Sequence, residues 1–220
     1  MPEKLFDIIS VRAGLEEENE KYASVVRAYC AEKGIFLVHL MASPGAGKTT
    51  LLCRILDVLG KDVEIGILEA DVDSDVDAQT VTAHGARAVQ LHTGGSCHMD
   101  GRMTLQGLQA FGDDPPKLVF LENVGNLVCP AEFDVGADLA LMILSVPEGD
   151  DKPLKYPLMF TVAECIVINK IDTAEIFDFD LTAFAKNLRP LNPSAPVFPL
   201  SAKTGEGMEP FLSWLKGRTA

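Results

Sequence analysis

The chain is 220 residues long, with 47% hydrophobic and 23% charged residues and a formal net charge of −13. That length suits one globular domain able to bury about 70% of its unfolded surface without disulfide staples, and the acidic balance argues against a polyphosphate partner such as nucleic acid. Apolar runs near residues 35–41 and 139–146 fall well short of the roughly 18 residues of a membrane span. The N-terminal apolar cluster Leu5, Phe6, Ile8 and Ile9 is followed by Glu16, Glu17 and Glu18, with no basic flank of the kind a signal peptide carries. The expected location is cytoplasmic, and five cysteines, an odd number, agree with a reducing compartment.

In chain order, residues 15–33 place Leu15, Tyr22, Val25, Val26 and Tyr29 on one helical face, an N-terminal extension over residues 1–33. From residue 34 to 220 short aliphatic runs alternate with helical patterns. Strands are expected at 36–41, 63–68, 88–92, 118–121, 139–145, 165–169 and 197–200. Helices are expected at 48–59, 76–84, 99–111, 181–188 and 208–216. Runs this continuous suit strands buried on both faces, so the expected fold is α/β, a P-loop NTPase domain with a mostly parallel sheet of about seven strands. In such folds ligands gather at the carboxyl ends of the strands.

The first strand leads into Ala42-Ser43-Pro44-Gly45-Ala46-Gly47-Lys48-Thr49-Thr50 and then a helix. Glycines let successive N–H groups turn inward on a phosphate, Lys48 reaches the terminal phosphates, and the Thr49 hydroxyl can bind Mg²⁺. Ala42 stands where the usual pattern has its first glycine. Gly45, Ala46, Gly47 and Thr50 complete the expected cradle.

Residues 165–168 end in Asn169-Lys170-Ile171-Asp172, the spacing of the guanine-reading N-K-x-D element. The Asp172 carboxylate can accept from guanine N1–H and N2–H₂, a donor pair that adenine lacks on that edge. Lys170 would lie along the base and Asn169 would hold neighbouring loops. Ser201-Ala202-Lys203, after the last strand, resembles the loop that closes over guanine. GTP and GDP are the expected ligands. Glu122-Asn123-Val124-Gly125 takes the place of the D-x-x-G switch, with Glu122 on Mg²⁺ and the Gly125 N–H on the γ-phosphate. After Glu69-Ala70, Asp71 and Asp77 are candidates for water activation and Mg²⁺ contact, whereas Asp73 and Asp75 read as a solvated turn.

Cys97 and His98 follow a strand and precede a helix, and Cys129 comes soon after Glu122. Two thiolates and an imidazole could make a three-donor site for Ni²⁺ or Zn²⁺, with a fourth position open to exchange, although by itself a Cys-His pair with a distant Cys is usually unremarkable. Cys30, Cys53 and Cys165 read as core residues; His39, His84 and His92 read as structural histidines.

The strings Thr93-Gly94-x-x-Cys97-His98, Glu122-Asn123-Val124-Gly125-Asn126-Leu127-x-Cys129-Pro130 and Glu148-Gly149-Asp150-Asp151-Lys152-Pro153-Leu154-Lys155-Tyr156-Pro157 resemble the HypB family of nickel-insertion GTPases in hydrogenase maturation. The resemblance implies a GTP-favoured homodimer, with Lys155 at the interface reaching the partner's γ-phosphate. It implies a HypA-type metallochaperone and the [NiFe]-hydrogenase large-subunit precursor as partners, and Cys97, His98 and Cys129 as the metal ligands. Residues 1–34 hold one cysteine and no histidine, so metal affinity is expected in the GTPase domain. Two alternatives stand beside this reading. One is a urease-type nickel GTPase, whose metal loop reads Cys-Pro-His where Cys97 and His98 are adjacent here, and the other is a metal-sequestering protein with weak nucleotide turnover.

Overall fold

The computed structural model describes residues 12–71 and 76–219; the apolar cluster Leu5, Phe6, Ile8 and Ile9 lies outside them. The elements run α1 (Arg12–Lys33), β1 (Phe36–Ala42), α2 (Lys48–Leu59), β2 (Ile65–Asp71), α3 (Val76–Ala83), β3 (Arg87–His92), α4 (Gly101–Ala110), β4 (Leu118–Glu122), α5 (Cys129–Glu132), β5 (Leu139–Ser145), α6 (Lys152–Lys155), α7 (Pro157–Val162), β6 (Cys165–Asn169), α8 (Leu181–Leu188), β7 (Val197–Pro199) and α9 (Met208–Thr219). All seven strands lie in one parallel sheet in the order β3-β2-β4-β1-β5-β6-β7. The phosphate-binding strand β1 is therefore central, with β4 and β5 as its neighbours.

Side-chain alternation along β1 feeds different parts of the core. Val38, Leu40 and Ala42 pack with Leu51, Ile55 and Phe211 from α2 and α9. On the opposite face Leu37 joins Val26 and Cys30 of α1 and Leu108 of α4, and Met41 joins Phe160 and Phe184 of α7 and α8. Strands covered on both sides need apolar residues at every position, which is why β4 and β6 are buried throughout.

Boundaries differ from the periodicity by one to three residues, some for local reasons. Asp100 caps α4 by accepting from Met103 N at 2.8 Å, so that helix starts at Gly101 rather than 99. Val63 N still bonds Leu59 O at 3.1 Å, closing α2 and delaying β2 to Ile65. The short helices α5, α6 and α7 are not visible as periodicity because four to six residues span too little of a turn pattern. Each nevertheless has proline at its first or second position, a start signal that could have found it. No helix among the described residues is long and apolar enough to cross a membrane.

Candidate functional site: a phosphate loop joined to a thiolate cluster

The β1–α2 turn carries Gly47 at φ 97° as the N-cap of α2. A side chain there would be strained, and its Cβ would stand 2.5 Å from Asn169 Nδ2. Asn169, 2% exposed, fastens three loops. Its Nδ2 donates to Ala46 O at 2.9 Å, and its Oδ1 accepts from Lys170 N at 2.8 Å and Ala202 N at 3.0 Å. Lys170, itself at φ 65°, donates through Nζ to Gly45 O at 2.7 Å. The phosphate loop, the Asn169-Lys170-Ile171-Asp172 corner and the Ser201-Ala202-Lys203 loop are thus one hydrogen-bonded unit. Asp172 lies exposed in the turn beyond Lys170, free to meet a base edge; Ser201 and Ala202 are buried and Lys203 is exposed.

Two contacts in this unit carried no signal in sequence. Arg54 of α2 donates to Ala202 O and Lys203 O, each at 2.8 Å, bolting the Ser201-Ala202-Lys203 loop to α2. Glu148 accepts from Ser43 Oγ at 2.5 Å and from Ser145 N and Oγ at 2.8 Å, which ties the segment after β5 to the phosphate loop. Each is a long-range pair whose members give no pattern alone.

Glu122 closes β4 against the loop, 3.9 Å from Lys48 Nζ and 3.4 Å from Thr49 Oγ1. Sheet register sets Glu69 of β2 directly opposite Glu122, both at most 4% exposed. The sequence reading passed over Glu69 for Asp71. The side chains of Asp71 and Asp77 lie outside the described residues, and Asp73 and Asp75 lie outside them altogether. Hard oxygen donors from Thr49 and Glu122 on the rim of a phosphate cradle fit Mg²⁺. Gly125 packs on Pro44, where a Cβ would come within 2.9 Å of its backbone, so the segment after β4 lies against the phosphate loop. Thr50 is exposed on the first turn of α2. Lys155, 58% exposed in α6, pairs with Asp151 at 2.6 Å, and that ammonium holds the Asp151 carboxyl below its usual range.

Beyond Glu122 the same segment reaches the second cluster. Cys97 Sγ is 2.8 Å from Cys129 Sγ and 3.6 Å from His98 Nδ1, and the three donor atoms all lie within 4.8 Å of one another. The His98 ring stacks on Phe133 at 4.1 Å between centroids. Desolvation lowers the His98 pKa, opposed by Asp100 and Glu132, whereas contact with Cys97 raises that of Cys129. Burial thus disfavours the imidazolium, and a cation binds the neutral imidazole and deprotonated sulfur. Two soft sulfurs and a borderline nitrogen suit Ni²⁺ or Zn²⁺ rather than Mg²⁺.

Asn123 joins the two clusters. Its Oδ1 accepts from Met99 N at 2.8 Å, beside His98, and from Val124 N at 2.9 Å, beside Glu122. With both backbone donors on Oδ1 the amide orientation is settled, so Nδ2 must donate to His39 Nε2, 2.7 Å away. His39 is then the neutral tautomer, and burial pushes its pKa down to about 4.

Fold and site together define a P-loop nucleotide-binding domain with a Cys–His cluster built from the segments that follow β3 and β4. Residues 36–199 match the family model of the CobW/HypB/UreG nucleotide-binding domain. The hydrogenase maturation factor HypB of Rhizobium leguminosarum bv. viciae is 40% identical over 209 residues, covering 95% of this chain and 70% of that protein. The hydrogenase/urease maturation factor HypB of Helicobacter pylori is 36% identical over 213 residues, covering 95% of this chain and 87% of its own length. Among solved structures, HypB of H. pylori in complex with nickel superposes with a TM-score of 0.87 at 34% identity, covering 92% of this chain and 95% of that one. HypB of Archaeoglobus fulgidus gives 0.86 at 37% identity, covering 93% and 100%. The chain belongs to the CobW/HypB/UreG family and, within it, to the HypB hydrogenase maturation factors.

Proposed function

We propose that the chain is a GTPase that assists nickel insertion into the [NiFe]-hydrogenase large-subunit precursor, with Ni²⁺ or Zn²⁺ carried as cargo on Cys97, His98 and Cys129. The observation that carries this reading is the short segment from Glu122 to Cys129, which begins beside Lys48 and Thr49 and ends in the thiolate pair. The names of the HypB relatives, and the nickel in the solved H. pylori structure, support the metal and its destination.

In this mechanism Lys48 neutralises the charge that develops on the terminal phosphates, and backbone N–H groups of residues 45–49 hold them in place. Asp172 selects guanine and Lys170 backs the base. Mg²⁺, when bound by Thr49 and Glu122, supplies further neutralisation of the phosphate oxygens. Loss of the γ-phosphate frees the Gly125 segment to move, and Asn123 and Cys129 move with it. A homodimer is supported by Leu154, Leu158, Ile176 and Phe177, large apolar side chains that are 45–76% exposed. Lys155, on the same short helix as Leu154, is the proposed contact with the partner's nucleotide. A HypA-type metallochaperone is the proposed source of the metal. Service to a urease precursor as well has the support of the H. pylori relative's name.

The test is one sample read for oligomeric state and bound Ni²⁺ with GTP and then with GDP. Coupling of the usual size shifts metal affinity about 5- to 150-fold between the two states, and guanine-nucleotide affinity by the same factor when metal is added. Equal affinities would remove the switch. Cys97→Ala is expected to abolish stoichiometric metal binding while leaving GTP affinity unchanged; retained metal would place the site elsewhere. Steady GTP turnover separates this reading from that of a sequestering protein.

A further inference from the structure

The three metal donors sit on two separate segments, the loop before α4 and the start of α5, and both segments are fastened from outside by one residue of α1. The Asn19 amide, 8% exposed, accepts from Gly101 N at 2.8 Å and donates to Asp134 O at 2.8 Å. Gly101 opens α4 just after Cys97-His98-Met99-Asp100, and its amide has no acceptor within its own helix. Asp134 follows Cys129 and Phe133, the ring on which His98 stacks. One amide with its orientation settled by a backbone donor and a backbone carbonyl therefore spans the two sides of the cluster.

Packing at Ala23, one turn further along α1, repeats the arrangement independently. A Cβ on Gly101 would come within 2.8 Å of Ala23 N, and one on Gly136 within 2.5 Å of Ala23 O. Both loops thus press their glycines against the same turn of helix, closer than any side chain permits. Arg27 adds an ion pair with Asp134, which at half exposure contributes little by itself. The helix that makes these contacts lies outside the nucleotide-binding region the family model matches, which begins at residue 36.

We infer that α1 is a brace for the metal cluster and that Asn19 is its positioning residue, holding the Cys97–His98 loop and the Cys129–Phe133 segment at a common spacing before the ion arrives. This rests on reading Cys97, His98 and Cys129 as the ligands. Donors on two independently mobile loops would have to be ordered by the metal itself, and that ordering subtracts from affinity. Groups that hold ligands without touching the metal typically matter at the level of 10- to 100-fold in affinity. Asn123 holds the same loop from the inside, through Met99 N, so loss of Asn19 loosens the cluster without detaching it from the switch.

The experiment titrates metal-free full-length protein with Ni²⁺ alone, following thiolate-to-nickel charge-transfer absorption, and measures GDP affinity on the same samples. Asn19→Ala is expected to weaken Ni²⁺ binding about 10- to 100-fold with GDP affinity unchanged, and to speed hydrogen exchange at the Gly101 amide of the metal-free protein. Asn19→Asp keeps the acceptor for Gly101 N and loses the donor to Asp134 O, so it should fall between wild type and Asn19→Ala. Nickel affinity within threefold of wild type in Asn19→Ala would overturn the brace, as would a parallel fall in nickel and GDP affinity, the mark of a loosened fold. Nickel binding that Cys97→Ala leaves intact would overturn the ligand assignment itself, and the brace with it.

Discussion

Asn169→Ala is expected to weaken guanine-nucleotide binding about a thousandfold, although the residue need not touch the nucleotide. Its amide satisfies the Ala46 carbonyl and the Lys170 and Ala202 N–H groups at 2.8–3.0 Å, in a site that is 2% exposed. Truncation strands a buried acceptor and a buried donor, at about 1–3 kcal/mol each. The loops recover that energy only by moving to water, which breaks the alignment of the phosphate loop with the base-reading corner. About 4 kcal/mol lost this way is a factor of about 10³ in affinity. Competition titration with a fluorescent GDP analogue reads the effect, and Ni²⁺ binding to the same variant is the control. Asn169→Asp retains both N–H acceptors but opposes the Ala46 carbonyl, so it should lie between the two. Gly47→Ala should imitate the loss, since its methyl would stand 2.5 Å from Asn169 Nδ2. A thousandfold effect on nickel with none on nucleotide would reverse the assignment of the two sites.

Acid should destabilise the protein through His39. Burial lowers its pKa from 6.5 to about 4, opposed by the Asp134 carboxylate. Between those values the unfolded chain binds a proton that the folded protein refuses, so the stabilisation is complete above pH 6.5 and lost progressively as the pH falls through 4. The slope is about 1.4 kcal/mol per pH unit and the total about 3 kcal/mol. Protonation would also set an Nε2–H against the Asn123 Nδ2 donor 2.7 Å away, breaking the strut between Glu122 and Met99. His39→Gln keeps an acceptor for Asn123 and cannot titrate there. Equilibrium unfolding at pH 7 and pH 5 should show wild type losing about 2 kcal/mol more than His39→Gln. Equal losses would show that His39 is not the buried neutral base its contacts require.

How far the sequence could be read follows from how locally each feature is encoded. Ala42 to Thr50 announces a phosphate loop because the strand, the glycines, Lys48 and the helix are contiguous. Asn169, Lys170 and Asp172 are legible for the same reason. All seven strands are found within three residues of their expected ends, and the central ones most plainly, since a doubly covered strand must be apolar throughout. Cys97 and His98 were identifiable as a pair, and Cys129 through its closeness in sequence to Glu122. Arg54, Glu148 and Asn19 were not legible. Each meets a partner more than 80 positions away, and a lone Arg, Glu or Asn in a helical or turn pattern carries no mark of such a partner.

By itself the sequence determined the seven strands, the longer helices and the phosphate and base motifs, and it offered Cys97, His98 and Cys129 as candidate metal donors, because each is a matter of residue type at short spacing. Tertiary structure alone decided that Glu69 faces Glu122, that Asn123 ties the segment after β4 to Met99 beside Cys97 and His98, and that α1 grips both Gly101 and Asp134. Those relations depend on parallel register between strands far apart in the chain, and on close backbone contact at Gly101 and Gly136. Neither leaves a periodic trace in the residues that make it.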